Sequence, residues 1–213
     1  KSIMTSNRNL KNHLQSSNFN LFPTLVIQYA NVISELEREN IFNTLKKRST
    51  NSHASIIEGT SSYDMSENED LVNTFALEER LQERLDNYTQ ETGIFNQKIC
   101  QSWFNIQNVG SQLLEHCHSG ATLSCALYIN VNGVQDSLCF QNPNPMVESA
   151  WISHVQSLTQ YNFKYTSFTP KNGDLFIFPS WLTHGSYYQS NQTPDRMVIS
   201  FNTIDNRKDK EYN

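Results

Sequence analysis

Between Lys98 and Asp205 the chain breaks into eight short segments of alternating apolar and polar residues, each bounded by turn-forming residues. Two stretches with apolar side chains at helical spacing precede them. Together these observations predict a mainly β protein with flanking helices: a jelly-roll, cupin-like core in the form of a double-stranded β-helix, braced by N-terminal helices. At 213 residues the chain is long enough for one well-buried core and short for two. The expectation is a single domain, with 1–97 as arm and supporting helices, 98–205 as the β core and 206–213 as a polar tail.

The elements follow in order. The first stretch, to about Asn20, is polar and rich in Asn and Ser, and reads as a mobile arm or a surface strand. Leu21–Ile27 reads as a short strand. A helix follows near Val32–Lys47, with Ile33, Leu36, Ile41 and Leu45 on its apolar stripe. Asn51–Glu69 is polar and Ser-rich, as expected of a loop. Asp70–Thr92 carries Leu71, Phe75, Leu81, Leu85 and Tyr88 at helical spacing, and Gly93 is placed to cap it. The strand candidates are Cys100–Val109, Gln112–His118, Thr122–Asn130, Ser137–Gln141, Asn162–Thr169, Asp174–Pro179, His184–Tyr188 and Arg196–Thr203. Asn132-Gly133, Gln141–Pro145 and Lys171–Asp174 supply turn chemistry between them.

Composition removes several function classes. Sixteen Lys and Arg against twenty-one Asp and Glu leave a net charge of −5, so a polyanionic partner such as nucleic acid is disfavoured. The four cysteines, Cys100, Cys117, Cys125 and Cys139, show neither CxxC spacing nor the density of a secreted disulfide scaffold. Reduced thiols in a cytoplasm are the simpler expectation. No run approaches the roughly 20 apolar residues that span a bilayer, and Lys1-Ser2-Ile3 does not open a signal peptide. The Lys1–Phe22 arm suits exchange between protomers, which makes a homodimer one expected state.

The chemistry concentrates in His116-Cys117-His118, His184 and Arg196. Alternate residues of a strand share a face, so His116 and His118 can aim two imidazoles at one point, and a third histidine from a distant strand closes a metal triangle. Imidazole nitrogen suits iron, zinc, copper and nickel, and three ligands on one side of an octahedral ion leave positions open for a chelating substrate and oxygen. Arg196, twelve residues past His184, has room for one turn and a return strand, where its planar guanidinium can hold a carboxylate through two parallel hydrogen bonds. By the same alternation Cys117 points away from the two histidines and reads as a buried apolar residue, and Glu115 points away as well. His13, His53 and His154 have no nearby partner and read as surface or hydrogen-bonded residues. Trp181, Tyr187 and Tyr188 suit either a substrate mouth or simple packing.

The ordered series Trp103-Phe104-Asn105, His116–Ala121, Ser124, Tyr128-Ile129, Phe140–Pro143, Gly173–His184 and Arg196–Asn202 resembles the bacterial and phage branch of the 2-oxoglutarate and Fe(II)-dependent oxygenases, relatives of the prolyl hydroxylases. Its most specific part is Phe178-Pro179-Ser180-Trp181-Leu182-Thr183-His184. The resemblance implies an enzyme that couples oxidative decarboxylation of 2-oxoglutarate, to succinate and CO2, to hydroxylation of a peptidyl residue or small metabolite by O2. It implies Fe(II) held by His116, His118 and His184, with Arg196 on the distal carboxylate of 2-oxoglutarate. Tyr128, on the face of Ser124, would add a hydroxyl to that carboxylate, and Ser200, on the face of Arg196, is a further candidate. Asn202 shares that face and is given no role.

Two departures bear on the reading. His118 stands where the wider superfamily has Asp or Glu, so the metal keeps its full 2+ charge and dianionic 2-oxoglutarate brings the site to neutrality. Val198 stands two residues after Arg196, where many relatives carry Ser. Two other readings stay open: a three-His cupin-type dioxygenase that binds substrate directly on iron, and a non-catalytic jelly-roll binding module.

Overall fold

A computed structural model describes residues 21–207, apart from 64, 66–69, 133–135 and 188. The arm over 1–20 with His13, Tyr188 and most of the polar tail lie outside the described residues, as does Gly133 of one expected turn. The chain runs β1 (Ile27–Tyr29), α1 (Glu35–Leu45), β2 (Asn51–Ser52), β3 (Ile56–Ser61), α2 (Leu71–Thr74), α3 (Glu78–Thr92), β4 (Gln97–Leu113), β5 (Leu123–Asn130), β6 (Leu138–Gln141), β7 (Tyr165–Phe168), β8 (Leu175–Pro179), β9 (His184–Gly185) and β10 (Arg196–Asp205). Seven strands form one sheet in the order β1-β8-β5-β10-β4-β3-β2, and three form a second in the order β7-β6-β9. Every pairing is antiparallel. The second sheet faces the middle of the first, the jelly-roll arrangement expected from the strand pattern.

The central strands are buried on both faces, which is why β5 reads Leu-Ser-Cys-Ala-Leu-Tyr-Ile-Asn rather than as a half-polar alternation. Leu123, Cys125, Leu127 and Ile129 of β5, Leu175 and Ile177 of β8, and Met197, Ile199 and Phe201 of β10 pack outward against Ile41, Leu45, Leu81, Leu85 and Tyr88 of the helices. Ala126, Tyr128, Phe176, Phe178 and Val198 point the other way, to Leu138 and Phe140 of the small sheet. Each such side chain contributes about 1.5–3 kcal/mol when fully buried, so the helical brace stabilises the face of the large sheet that the small sheet leaves uncovered. Ser34 and Glu37 form a capping box at the start of α1. Glu37 also bonds Arg80 of α3 at 2.9 Å, and Arg80 reaches the carbonyl of Val32, tying the two helices together.

Several expectations change. The segment 51–69 is not simply a loop, since β2 and β3 lie in it and extend the large sheet beyond β4; its polar side chains belong to a sheet edge that carries little apolar signal. The 70–92 helix is two helices, broken at Ala76, whose φ is 53°. Gly93 caps α3 in the left-handed conformation as expected. The Leu21–Ile27 strand shrinks to Ile27–Tyr29. Cys100–Val109 and the first part of Gln112–His118 merge into one strand ending at Leu113, and of His184–Tyr188 only His184–Gly185 is a strand. A π-helical turn over Val147–Trp151, continued by a 3-10 turn over Ile152–His154, was not expected. No described helix is long and apolar enough to cross a membrane.

Candidate active site

His116 does not lie on a regular strand, contrary to the expectation for Gln112–His118. It forms an isolated bridge with His184, each backbone N–H donating to the other's carbonyl at 3.0 Å. Gly185 allows this approach, because a Cβ there would lie 2.8 Å from the carbonyl oxygen of Leu113. His118 is held by its own backbone N–H, which donates to Ser180 at 2.9 Å in the turn after β8. The same turn, closed by the Leu182 N–H on Pro179, delivers His184. Pairing across the two sheets, more than strand alternation, brings the three rings together.

The ring centroids are 5.1 Å apart for His116 and His118, 4.4 Å for His116 and His184, and 5.1 Å for His118 and His184. One nitrogen from each lies within 4.8 Å of the others. Every Nδ1 is already engaged, on the carbonyl of Leu114 at 2.8 Å for His116, on Asn202 Oδ1 at 2.7 Å for His118 and on the carbonyl of Leu182 at 2.9 Å for His184. A carbonyl oxygen only accepts, so Nδ1 carries the proton and the Nε2 lone pair is left for a metal. Burial lowers the pKa of all three below the ordinary histidine value, that of His184 to about 3 with His116 adding repulsion. The rings are therefore neutral near pH 7, the form that ligates. Three neutral imidazoles with oriented lone pairs fit a first-row divalent ion.

The rings open into a cavity of about 380 Å³ between the two sheets, which also takes in Arg196, Tyr128, Val198, Ser200 and Asn202. Arg196 is buried. Its guanidinium lies 5.4 Å from the centre of the Tyr128 ring and donates from Nη1 to Gln107 Oε1. Burial pushes the Tyr128 phenol up to about 12, with Arg196 opposing, so it stays protonated and can donate. Asp136 lines the same cavity. Burial raises its pKa, but hydrogen bonds from Thr193 and from the backbone of Asn132 and Gln192 prevail and, with Arg196, hold it below the usual carboxylate range.

The candidate residues His116, His118, His184, Arg196, Tyr128 and Ser200 thus line one cavity. Others behave differently. Cys117 is exposed, contrary to its expected burial, because the 114–118 segment has left the sheet. His53, expected to be a surface or hydrogen-bonded residue, accepts the Ser55 N–H on Nδ1 at 3.2 Å, and it also lines the outer cavity and packs edge-on against Tyr63 at 5.3 Å. Tyr63 meets Trp103, and Trp103 meets His118 at 5.6 Å. Trp181 is exposed and Tyr187 buried. Reading the sequence missed Gln107 and gave Asn202 no role, although both sit on cavity-facing positions of their strands.

Residues 101–202 match the family model described as "Putative 2OG-Fe(II) oxygenase". No curated protein matches. Among solved structures, HygX from Streptomyces hygroscopicus with nickel and 2-oxoglutarate bound aligns with a TM-score of 0.58 and 14% identity over 86% of this chain and 84% of that one. The epimerase SnoN from nogalamycin biosynthesis gives 0.60 and 10% over 85% and 79%. A Trichoplax adhaerens prolyl hydroxylase in complex with a peptide fragment gives 0.56 and 12% over 88% and 87%. These likenesses establish the double-stranded β-helix fold. The stretch that matches the 2OG-Fe(II) oxygenase family model, residues 101–202, carries the three histidines together with Tyr128, Arg196 and Ser200.

Proposed function

We propose that the protein is a 2-oxoglutarate- and Fe(II)-dependent hydroxylase built as one catalytic domain, in which His116, His118 and His184 hold the metal through Nε2. The observation that supports this most is the set of three occupied Nδ1 atoms, which leaves three Nε2 lone pairs aimed into the cavity that contains Arg196. Iron and 2-oxoglutarate, when bound, supply oxygen activation: the oxo acid leaves as succinate and CO2, and one oxygen atom goes to the substrate.

The chain's own residues bind and orient. Arg196 takes the distal carboxylate of 2-oxoglutarate, and the protonated Tyr128 hydroxyl, beside the guanidinium, offers a second donor. Ser200 is a further donor on the same face of β10. Ala126, Leu138, Phe178 and Val198 make the inner wall apolar, which shields the acid from bulk water and strengthens its pairing with Arg196. A 2+ metal, Arg196, Asp136 and dianionic 2-oxoglutarate balance to zero charge, so Asp136 offsets the carboxylate missing from the ligand set. The substrate enters along the outer wall of His53, Tyr63 and Trp103. Structures of similar fold hold hygromycin B in one case and a peptide in another, consistent with a small metabolite or a peptidyl residue here.

The test is an anaerobic titration of the Fe(II)-loaded protein with 2-oxoglutarate, followed by the visible band of a chelated oxo acid, with succinate measured after oxygen is admitted. A saturable band weakened in Arg196→Ala is expected. Bound iron without a band or succinate would overturn the reading in favour of a three-His dioxygenase.

A further inference from the structure

Strand β4 departs from regular pairing beside β3. Ile57 faces Gln112 and Gly59 faces Gln107, so the residues from Asn108 to Ser111 stand against Glu58 alone, a wide bulge of the kind that re-aims side chains. Asn108, Val109 and Gly110 turn out to solvent, with Gly110 at φ 91°, in the region that favours glycine. The Gly110 N–H donates to the Asn191 carbonyl and the Asn191 N–H to the Ser111 carbonyl, both at 2.8 Å, which brings Ser111 back into the interior. Gly59 lets β3 press onto the same point, since a Cβ there would lie 2.9 Å from the Ile106 carbonyl oxygen and 3.3 Å from Gln107 Cα.

The bulge builds a directed chain of hydrogen bonds. Ser111 Oγ donates its proton to the Ile57 carbonyl at 2.5 Å. Its lone pair therefore accepts from Gln107 Nε2, at 3.0 Å. With the amide nitrogen so engaged, Gln107 cannot flip, and its Oε1 must face Arg196, the residue directly opposite on β10, where it accepts from Nη1. Gln107, Ser111 and Arg196 are 3%, 0% and 8% exposed, so the chain is shielded from bulk water. One edge of the guanidinium is pinned and its remaining N–H groups are aimed.

We propose that Gln107, locked by Ser111, is a positioning residue that sets the orientation in which Arg196 grips the distal carboxylate of the oxo acid, and so selects a dicarboxylic over a monocarboxylic co-substrate. This rests on the oxo-acid reading above. Gln107 does not touch the metal ligands, so its removal acts on acid recognition and leaves metal binding intact.

The experiment is calorimetric titration of the Ni(II)-loaded protein with 2-oxoglutarate and, separately, with pyruvate, which lacks the distal carboxylate. Gln107→Met removes the acceptor and is expected to raise the 2-oxoglutarate Kd about 10-fold; Ser111→Ala frees the amide and should raise it about 3-fold. Gln107→Glu sets a competing carboxylate against the guanidinium and should raise it by about 100-fold. In each variant nickel and pyruvate binding should stay within about twofold of wild type, a split that general loosening of the cavity would not produce. If Gln107→Met fails to fold, the other two variants decide. Unchanged 2-oxoglutarate affinity in the variants, or parallel loss of pyruvate affinity, overturns the inference while the oxo-acid reading survives. A wild-type protein that binds nickel but not 2-oxoglutarate overturns both.

Discussion

Replacing Asn202 by Leu removes the acceptor for His118 Nδ1–H while keeping the volume at a position only 8% exposed. The bond is 2.7 Å long, and losing a partner that orients a ligating imidazole costs about 10–100-fold in metal affinity. Ser124 Oγ, 2.8 Å from the same Nδ1, remains as a weaker acceptor, which places the expected loss near the lower end, about 10-fold or ~1.4 kcal/mol. Asn202→Asp works in the other direction, because a carboxylate accepts the same proton and adds a negative charge beside a ligand set that has none. Its affinity should equal or exceed wild type. The assay is competition for Zn(II) or Fe(II) against a chromophoric chelator. A Leu variant within twofold of wild type, or an Asp variant as weak as the Leu variant, would refute the view that Asn202 fixes the His118 tautomer.

Arg196→Ala should retain metal and raise the 2-oxoglutarate requirement about 10- to 100-fold, the effect of losing a charge-assisted pair worth ~1.5–3 kcal/mol; a steady-state KM for 2-oxoglutarate checks it, and an unchanged value contradicts it. Gly185→Ala would set a Cβ 2.8 Å from the Leu113 carbonyl oxygen, pushing the His116 segment off β9. Overpacking of this kind costs about 1–3 kcal/mol, so melting of the metal-free variant should shift down and its metal affinity fall, both readable by calorimetry. Stability of the metal-free protein should also depend on pH. His184 has its folded pKa depressed from 6.5 to about 3, and His116 and His118 move the same way. Above pH 6.5 neither the folded nor the unfolded chain is protonated at these rings, and stability is complete. Below it the unfolded chain takes up protons that the fold refuses, so stability of the metal-free protein falls by up to about 1.4 kcal/mol per pH unit for each histidine. That loss continues for His184 until pH nears 3. Melting curves that stay flat between pH 7 and 5 would count against three buried neutral rings.

The helical brace and the strands of the β core were legible because their signals are local. Gly93 ends α3 where a left-handed cap was expected, and turn residues between short apolar segments marked the strands, although the largely apolar β5 and β8 depart from the expected alternation because they are buried on both faces. The edge strands β2 and β3 were not legible, since polar residues at a sheet border carry no apolar period and their pairing with β4 is a long-range event. The break at Ala76 was hidden for a related reason: Phe75 continues the helical period, yet the chain must turn there to place α3 against the sheet.

At the site, residue type and order singled out the side chains suited to metal and acid chemistry: two histidines in His-x-His, a third before a fixed interval to Arg196, and Tyr128 on an inward position. These are properties of ligand chemistry and strand period, and both are written along the chain. Tertiary structure alone decided how they are aimed. His116 and His118 converge through a bridge to β9 and a bond to Ser180, not through one strand, and that same departure exposes Cys117. The proton positions depend on Leu114, Leu182 and Asn202, and the setting of Arg196 depends on Gln107, 89 residues away in sequence. A hydrogen bond between distant residues depends on strand register and on which amide or hydroxyl has a proton left to give, and neither is determined until the strands have paired.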